Sequence, residues 1–193
     1  MSTRATYQFI GGTLPAPITV YIHHDGYPEG AACYFWNMHE CERRLGHFER
    51  FLIANERAEV TDSHEAHGDT EYRYTLEGDE LTAWKRYGYG DGATWQVFYV
   101  GAWWDFVNKY GPEGFDGFEP LRQVGGAYWG NGNKCVYTRT QLVKALEEKE
   151  RLAAAYREKF PEMKGNQGWN DEEIARARKR VEEFDALNKT AAA

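Results

Sequence analysis

The segment that most constrains the fold is the stretch at positions 21–30, which reads YIHHDGYPEG. The residues before it are β-branched and aromatic, as in a strand, and those after it predict a helix over residues 31–42. Between them, Asp25-Gly26 favours a turn with positive φ at the glycine, and Pro28 fixes its own φ and keeps the preceding residue extended. A strand-to-helix connection this tight and polar is either a functional site or a demanding piece of architecture.

The rest of the first two thirds of the chain predicts an α+β fold. Because the strands after residue 58 follow one another through short turns, we expect an antiparallel sheet of about five strands with helices on one face, and no parallel pairing. Residues 111–135 are rich in Gly, Pro and aromatic residues without a clear period, and we interpret them as an ordered loop. The predicted strands are 5–10, 18–22, 70–76, 81–87 and 94–100, with 58–61 as a candidate short strand, and the predicted helices are 31–42, 45–55 and 103–110.

The C-terminal third predicts a helical hairpin. Thr138 with Gln141, and Asn170 with Glu173, match the capping-box pattern at a helix start. The first helix should end before Pro161, and residues 164–169 should form the connection. We therefore expect an α+β domain over residues 1–135 and a helical hairpin over residues 136–193. Its narrow apolar stripes suit packing on the sheet domain or on a second copy, which favours a homodimer.

Composition indicates a soluble protein of the cytoplasm. Charged residues make up 27% and hydrophobic residues 42% of the 193 residues, and no run of 18 apolar residues occurs. The N-terminus lacks the apolar core of a signal peptide. The three cysteines are odd in number and match no metal-binding pattern, so reduced thiols are expected.

Negative charge is concentrated in residues 56–80. This stretch contains nine acidic and two basic residues, and the difference of −7 equals the net charge of the whole chain. Such acidity disfavours direct nucleic-acid binding, which needs a basic surface. It is compatible with a basic partner, with a cation site, or with solubility alone.

Two polar segments form a candidate metal site. Histidine and carboxylate side chains are ligands for Zn, Mn or Fe, and a bound metal would activate water for hydrolysis. One alternative is that both segments are structural polar turns, because neither contains a metallohydrolase motif such as His-Glu-x-x-His. The others are direct acid–base chemistry and contact with a partner. The candidate ligands are His23, His24 and Asp25 in the first segment, and His64, His67 and Asp69 in the second.

Aromatic residues are abundant, at 16% of the chain. Alternation in the strands assigns most of them to the core, but one face rarely buries both members of a pair such as Trp103-Trp104. Exposed tryptophans favour protein interfaces. Together with the acidic run, they form our set of candidate partner-binding residues: Glu56, Glu59, Asp62, Glu65, Glu71, Glu77, Asp79, Glu80, Trp103, Trp104 and Trp129.

Several motifs resemble those of small, mostly uncharacterised proteins encoded by phages, prophages and other mobile elements. They are Tyr-x-Phe at residues 7–9, the motif at 21–32, and HExHGDTEY at 64–72. The resemblance covers roughly residues 4–110 and leaves out the helical hairpin. It implies no established activity, but accessory genes of this kind often encode inhibitors of host defence, including anti-CRISPR proteins.

The leading hypothesis is therefore a non-enzymatic accessory protein without a cofactor. It would bind a host protein, such as a nucleic-acid-binding defence complex in the host cytoplasm, and occupy its basic channel with an acidic surface. No membrane and no direct nucleic-acid contact is expected. The alternative hypothesis is a metal-dependent hydrolase acting on a nucleotide or nucleic acid. The sequence does not identify the partner, the substrate or the stoichiometry.

Overall fold

The computed structural model describes residues 3–12, 14–41, 44–88, 90–111, 118–127 and 134–191. Contacts divide the chain into two compact units. The first comprises residues 1–118 and 127–134, and the second comprises residues 119–126 and 135–193. The first unit contains a six-stranded sheet and three helices, which confirms the predicted α+β class.

The sheet of the first unit has the strand order β3-β2-β1-β4-β5-β6. The strands are β1 (Ala5–Ile10), β2 (Ile18–Ile22), β3 (Glu59–Thr61), β4 (Tyr72–Glu77), β5 (Glu80–Tyr87) and β6 (Thr94–Ala102). The helices are α1 (Pro28–Glu40), α2 (His47–Ala54) and α3 (Trp103–Tyr110).

The observed sheet differs from the predicted one in being mixed and in having six strands where about five were expected. β1 and β4 pair in parallel, from Ala5 beside Tyr72 to Ile10 beside Glu77, and all other neighbours are antiparallel. Within the first three strands, β3 pairs with the outer edge of β2, so the second edge of β1 has no partner among them. The chain then crosses the sheet and adds β4 at that edge of β1, a non-local step that short turns do not reveal.

The core of the first unit lies between the sheet and its helices. Successive side chains of a strand point to opposite faces, so Tyr7 and Phe9 of β1 share a face with Tyr74 of β4. All three are buried, and the Tyr7 and Tyr74 rings stack with centroids 5.0 Å apart. Phe35, Phe51 and Phe106 contribute rings from α1, α2 and α3 respectively. We refer to this as the helix face, and to the other as the open face.

Helix α1 begins three residues earlier than predicted, at Pro28. Proline suits the first helical position because its φ is already helical and its missing N–H would have no partner there. Gly30 therefore lies inside the first turn of the helix and does not precede it.

The second unit contains β7 (Arg122–Ala127), β8 (Lys134–Tyr137), α4 (Arg139–Lys159) and α5 (Lys164–Ala191). The last residue of β7 and the first residue of β8 are assigned to the first unit. The paired strands β7 and β8 correct the prediction of a loop over residues 111–135. Glycines obscure the strand pattern, and Gly125 has a φ of +75°. Residues 112–117 and 128–133 of that predicted loop lie outside the described residues.

The helical hairpin is confirmed, with one corrected boundary. The capping box of Thr138 and Gln141 is present at the start of α4. By contrast, α5 already begins at Lys164, so Asn170 is inside the helix and the predicted connection over 164–169 was wrong. A glycine costs only about 1 kcal/mol relative to alanine in a helix, which does not terminate a helix of this length.

A small apolar cluster and several ion pairs hold the second unit together. Phe184 of α5 packs with Leu142 of α4 and Val124 of β7, and Tyr137 and Val181 pack against them. Arg139–Asp185, Lys149–Glu173 and Arg178–Glu150 bridge α4 and α5 at 2.8 to 2.9 Å. None of the described helices combines the length and apolarity needed to cross a membrane. The three cysteines are free thiols, as predicted.

Candidate functional site

The connection between β2 and α1 is packed too closely to be a binding cleft. Asp25 adopts a left-handed conformation with a φ of +54°. The Gly26 N–H donates to the Thr3 carbonyl at 2.9 Å, and the Gly26 carbonyl accepts from the Tyr74 hydroxyl at 2.9 Å. A Cβ on Gly30 would lie 1.9 Å from the Asp25 carbonyl oxygen. This close fit favours the architectural interpretation of the segment.

The first set of candidate ligands lies on the surface of this connection. His23, His24 and Asp25 are all exposed. His23 Nε2 lies 3.4 Å from a carboxylate oxygen of Glu59 on β3. The His24 carbonyl accepts from the Tyr34 hydroxyl at 2.9 Å, so this residue is held through its backbone.

The second set belongs to residues 62–71, which cross the open face of the sheet. His64 Nδ1 lies 2.7 Å from the Thr6 hydroxyl of β1, and its Nε2 lies 3.1 Å from the Thr75 hydroxyl of β4. Burial, together with the nearby Arg73 guanidinium, lowers the pKa of His64 from 6.5 to about 4. The ring is therefore neutral at pH 7 and both nitrogens are engaged, which leaves neither free for a metal.

Three arginines fasten the 62–71 segment to the sheet. Arg73 pairs with Glu65 at 2.9 Å and donates to the His64 carbonyl at 3.3 Å. Arg4 pairs with Asp69 at 2.8 Å, and Arg86 donates to the Gly68 carbonyl. Two of the acidic side chains in this segment are thus used within the molecule.

His67 and Asp69 surround the buried Tyr21 of β2. The His67 and Tyr21 rings stack with centroids 3.7 Å apart, and His67 Nε2 lies 2.9 Å from the Thr61 hydroxyl. The Tyr21 hydroxyl donates to Asp69 at 3.2 Å. Burial raises the pKa of Tyr21, and the charge and hydrogen bond of Asp69 raise it further, whereas Arg4 opposes this rise.

The six candidate ligands do not form a metal centre. Within the described part of the chain, no group of three or more His, Cys, Asp or Glu side chains is arranged to hold a metal ion. The imidazoles of His64 and His67 form hydrogen bonds to threonines. The geometry therefore favours structural polar turns over the metal-site hypothesis.

Most of the predicted acidic residues are exposed, but two are engaged internally. Glu65 pairs with Arg73. Asp79 is less exposed, and its carboxylate lies 3.6 Å from His47, whose pKa burial and Arg50 lower to about 3. The remaining six are exposed side chains: Glu56, Glu59, Asp62, Glu71, Glu77 and Glu80.

The three candidate tryptophans differ in position. Trp103 is only 1% exposed and packs beside the His39 and His47 rings, so its prediction as a surface contact was wrong. It is buried because β6 leads directly into α3, whose inner face it occupies. Trp104 is partly exposed. Trp129 lies outside the described residues.

Sequence reasoning missed a patch on the open face over β4, β5 and β6. We call it the β4–β6 patch, and it consists of Arg73, Trp84, Arg86, Trp95, Val97 and Val100. Register pairs such as Arg73 with Trp84, and Trp84 with Val97, place these side chains on one face. The Arg73 guanidinium carbon lies 4.0 Å from the centre of the Trp95 ring.

The six side chains of the β4–β6 patch are apolar or basic, whereas Glu65 pairs with Arg73 at its border and Glu77 and Glu80 lie further along the same face. Val97 and Val100 are 53% and 59% exposed. Alternation along β5 was the available signal for Trp84 and Arg86. On β6, an extra residue at the register shift opposite Ala83 and Trp84 breaks the alternation that would place Val97 and Val100 on one face.

Comparisons of the chain with protein-family models, with curated proteins and with solved structures find no match.

Proposed function

We propose that this protein is a non-enzymatic accessory protein of a mobile element that binds and inhibits a host defence protein. Its acidic surface would occupy a basic nucleic-acid-binding channel of that protein, as in anti-CRISPR-like inhibition. The supporting observation is the exposure of Glu59, Asp62 and Glu71 on and beside the segment that crosses the sheet. We call these three residues the acidic corner.

Two features of the acidic corner suit a charged protein contact. The 62–71 segment is fastened to the sheet by Arg4, Arg73 and Arg86, so its carboxylates are presented on a pre-organised backbone. Glu59, Asp62 and Glu71 are exposed side chains, so their charges face the solvent beside this segment. Such charges accelerate association with a basic surface and make it sensitive to salt.

The histidines of the same region support a binding role over a catalytic one. His64 is neutral and bridges two strands, and His67 is stacked on Tyr21. Both side chains position the acidic segment and offer no free general base. The proposal therefore assigns these residues to structure and the surrounding carboxylates to recognition.

The test is competition with nucleic acid. Proteins captured from a host lysate at low and moderate salt would be identified, and each basic candidate would be purified and bound to a labelled duplex. Wild-type protein should displace the duplex, and displacement should weaken as salt rises. For the triple variant Glu59→Gln/Asp62→Asn/Glu71→Gln, the protein concentration needed to displace half of the duplex should be at least about tenfold higher than for the wild type, because three attractive charges are lost.

A matched control variant has the same net charge as the acidic-corner variant, but its three substitutions lie elsewhere in the chain. Glu158→Gln/Glu162→Gln/Glu182→Gln removes three exposed carboxylates from the helical hairpin. It should compete as well as the wild type. If both triple variants lost competition equally, net charge alone would explain the effect and the acidic corner would have no specific role. Undiminished competition by the acidic-corner variant would also refute the proposal.

A further inference from the structure

The outer edge of β6 is unusually open to pairing. β6 is nine residues long, and its sequence TWQVFYVGA contains no charged residue and no proline. One edge pairs with β5, and no other strand among the described residues pairs with the opposite edge. Edge strands are normally protected by charged residues, by proline or by being short, because their free N–H and C=O groups recruit further strands.

The other edge of the same sheet shows these protections. β3 has only three residues and includes Glu59, and the exposed Asp62 follows it directly. In the 62–71 segment, Asp69 contacts Tyr21 of β2 on that side of the sheet, and Glu65 pairs with Arg73 of the central strand β4. Two copies of a chain with net charge −7 repel each other, and β6 itself adds no charge to that repulsion.

The spacing of the exposed side chains on β6 is self-complementary. Val97 lies opposite Trp84 and Val100 lies opposite Thr82, so both valines are on the open face. Phe98 and Tyr99, between them, pack against Tyr110 of α3 on the helix face. An antiparallel pair with a two-fold axis between Phe98 and Tyr99 would therefore place each Val97 opposite a Val100 of the other copy.

We propose that two copies of this chain associate through antiparallel pairing of their β6 edges in this register. The occupant is a second copy, because a two-fold interface requires the same surface to fit itself. The β6 edge meets this requirement, since each Val97 would lie opposite a Val100 of the other copy. The paired valines would be covered on the open face, and the sheets would become continuous. This inference does not depend on the proposed function, and it differs from dimerisation through the helical hairpin, where Val181 already packs on its own chain.

The test is a charge-exchange experiment followed by size-exclusion chromatography with light scattering. Wild type should have twice the mass of the chain. Val97→Glu and Val100→Lys should each lose the dimer, since an unpaired charge would then face a valine. The double variant Val97→Glu/Val100→Lys should regain it, because this register places each glutamate opposite a lysine of the other copy.

Val60→Glu is the matched control. Val60 is 61% exposed and lies on the opposite edge strand, so this variant should remain dimeric. Circular dichroism should show wild-type secondary structure in every variant, because the substituted side chains are exposed in the single chain. A monomeric wild type, or a Val97→Glu variant that remains dimeric, would overturn the proposal. A double variant that remains monomeric would overturn it as well, since the register is part of it.

Discussion

At the scale of single residues, His64 shows how a polar side chain becomes a structural element of the sheet. Its two ring nitrogens contact Thr6 and Thr75, which lie on the neighbouring strands β1 and β4. In a neutral imidazole one nitrogen donates and the other accepts, and a threonine hydroxyl satisfies either role. Protonation would place a largely buried cation near the Arg73 guanidinium, which the fold disfavours.

We expect this histidine to make stability depend on pH. The pKa of His64 is about 4 in the folded protein and near 6.5 when unfolded, so the unfolded chain binds more protons between these values. The free energy of unfolding should be highest above pH 6.5 and should fall as the pH decreases towards 4. Urea unfolding at pH 7.5 and pH 4.5 should show a smaller decrease for His64→Gln than for the wild type.

The exposed His24 gives the comparison, because His24→Gln should retain the wild-type pH dependence. His47 and the ion-paired carboxylates also lose stability in acid, so some pH dependence should remain in every variant. An identical decrease in His64→Gln and the wild type would show that His64 is not held neutral by the fold.

At the scale of elements, the connection between β2 and α1 is organised by close backbone approach. Gly30 lies in the first turn of α1, where the helix passes over the Asp25 carbonyl. Gly26 also has no room for a side chain, since a Cβ there would lie 2.6 Å from the Ala5 Cβ. The glycines of the motif are therefore required by packing between β1, β2 and α1.

We expect Gly30→Ala to destabilise the protein, although alanine is the better helix former. The added methyl would lie 1.9 Å from the Asp25 carbonyl oxygen, and relieving the clash requires movement of backbone. Overpacking of this kind costs about 1–3 kcal/mol or more. The midpoint of urea unfolding should fall accordingly.

Gly68→Ala supplies the contrast for this measurement. Apart from its two chain neighbours, no described residue has an atom within 4 Å of the position that a Cβ on Gly68 would occupy, and the φ of Gly68 is not in the left-handed region. Its unfolding midpoint should be close to that of the wild type. If both alanine variants were equally stable, the connection would have more freedom than its geometry implies.

At the scale of the whole molecule, the chain consists of two units whose boundary does not follow a single point in the sequence. The mixed sheet and helices α1 to α3 lie within residues 1–118. The second unit takes residues 119–126 in addition to 135–193. Val124 of β7 thus belongs to the same apolar cluster as Leu142 and Phe184 of the helical hairpin.

We expect the choice of truncation point to decide whether a fragment folds cleanly. A fragment of residues 1–118 retains every strand of the mixed sheet and should unfold cooperatively in urea. A fragment of residues 1–136 retains Val124 but loses Leu142 and Phe184, which exposes an apolar surface and favours aggregation.

Circular dichroism and size-exclusion chromatography of the two fragments distinguish these outcomes. The shorter fragment should elute as a discrete species, and the longer one should elute early or precipitate. If the longer fragment were the better behaved of the two, β7 would not depend on the hairpin for its burial.

Much of the local structure follows from the sequence alone. Alternation in β4 places Tyr72, Tyr74 and Leu76 on the buried face, as observed. Thr138 with Gln141, and the stop before Pro161, predict the bounds of α4 because capping and proline act within a few residues. The composition and spacing of these segments are sufficient, since the interactions that decide them are local.

The tertiary structure alone decided which segments meet and which faces remain open. The parallel pairing of β1 with β4, the burial of Trp103 and the register shift opposite Trp84 all depend on contacts between distant residues. The same holds for the candidate ligands. A pattern of His and Asp is identical whether the side chains converge on a metal or, like His64, bridge two strands. Only the path of residues 62–71 across the sheet distinguishes these outcomes, because that path sets the partner of every ring nitrogen and carboxylate.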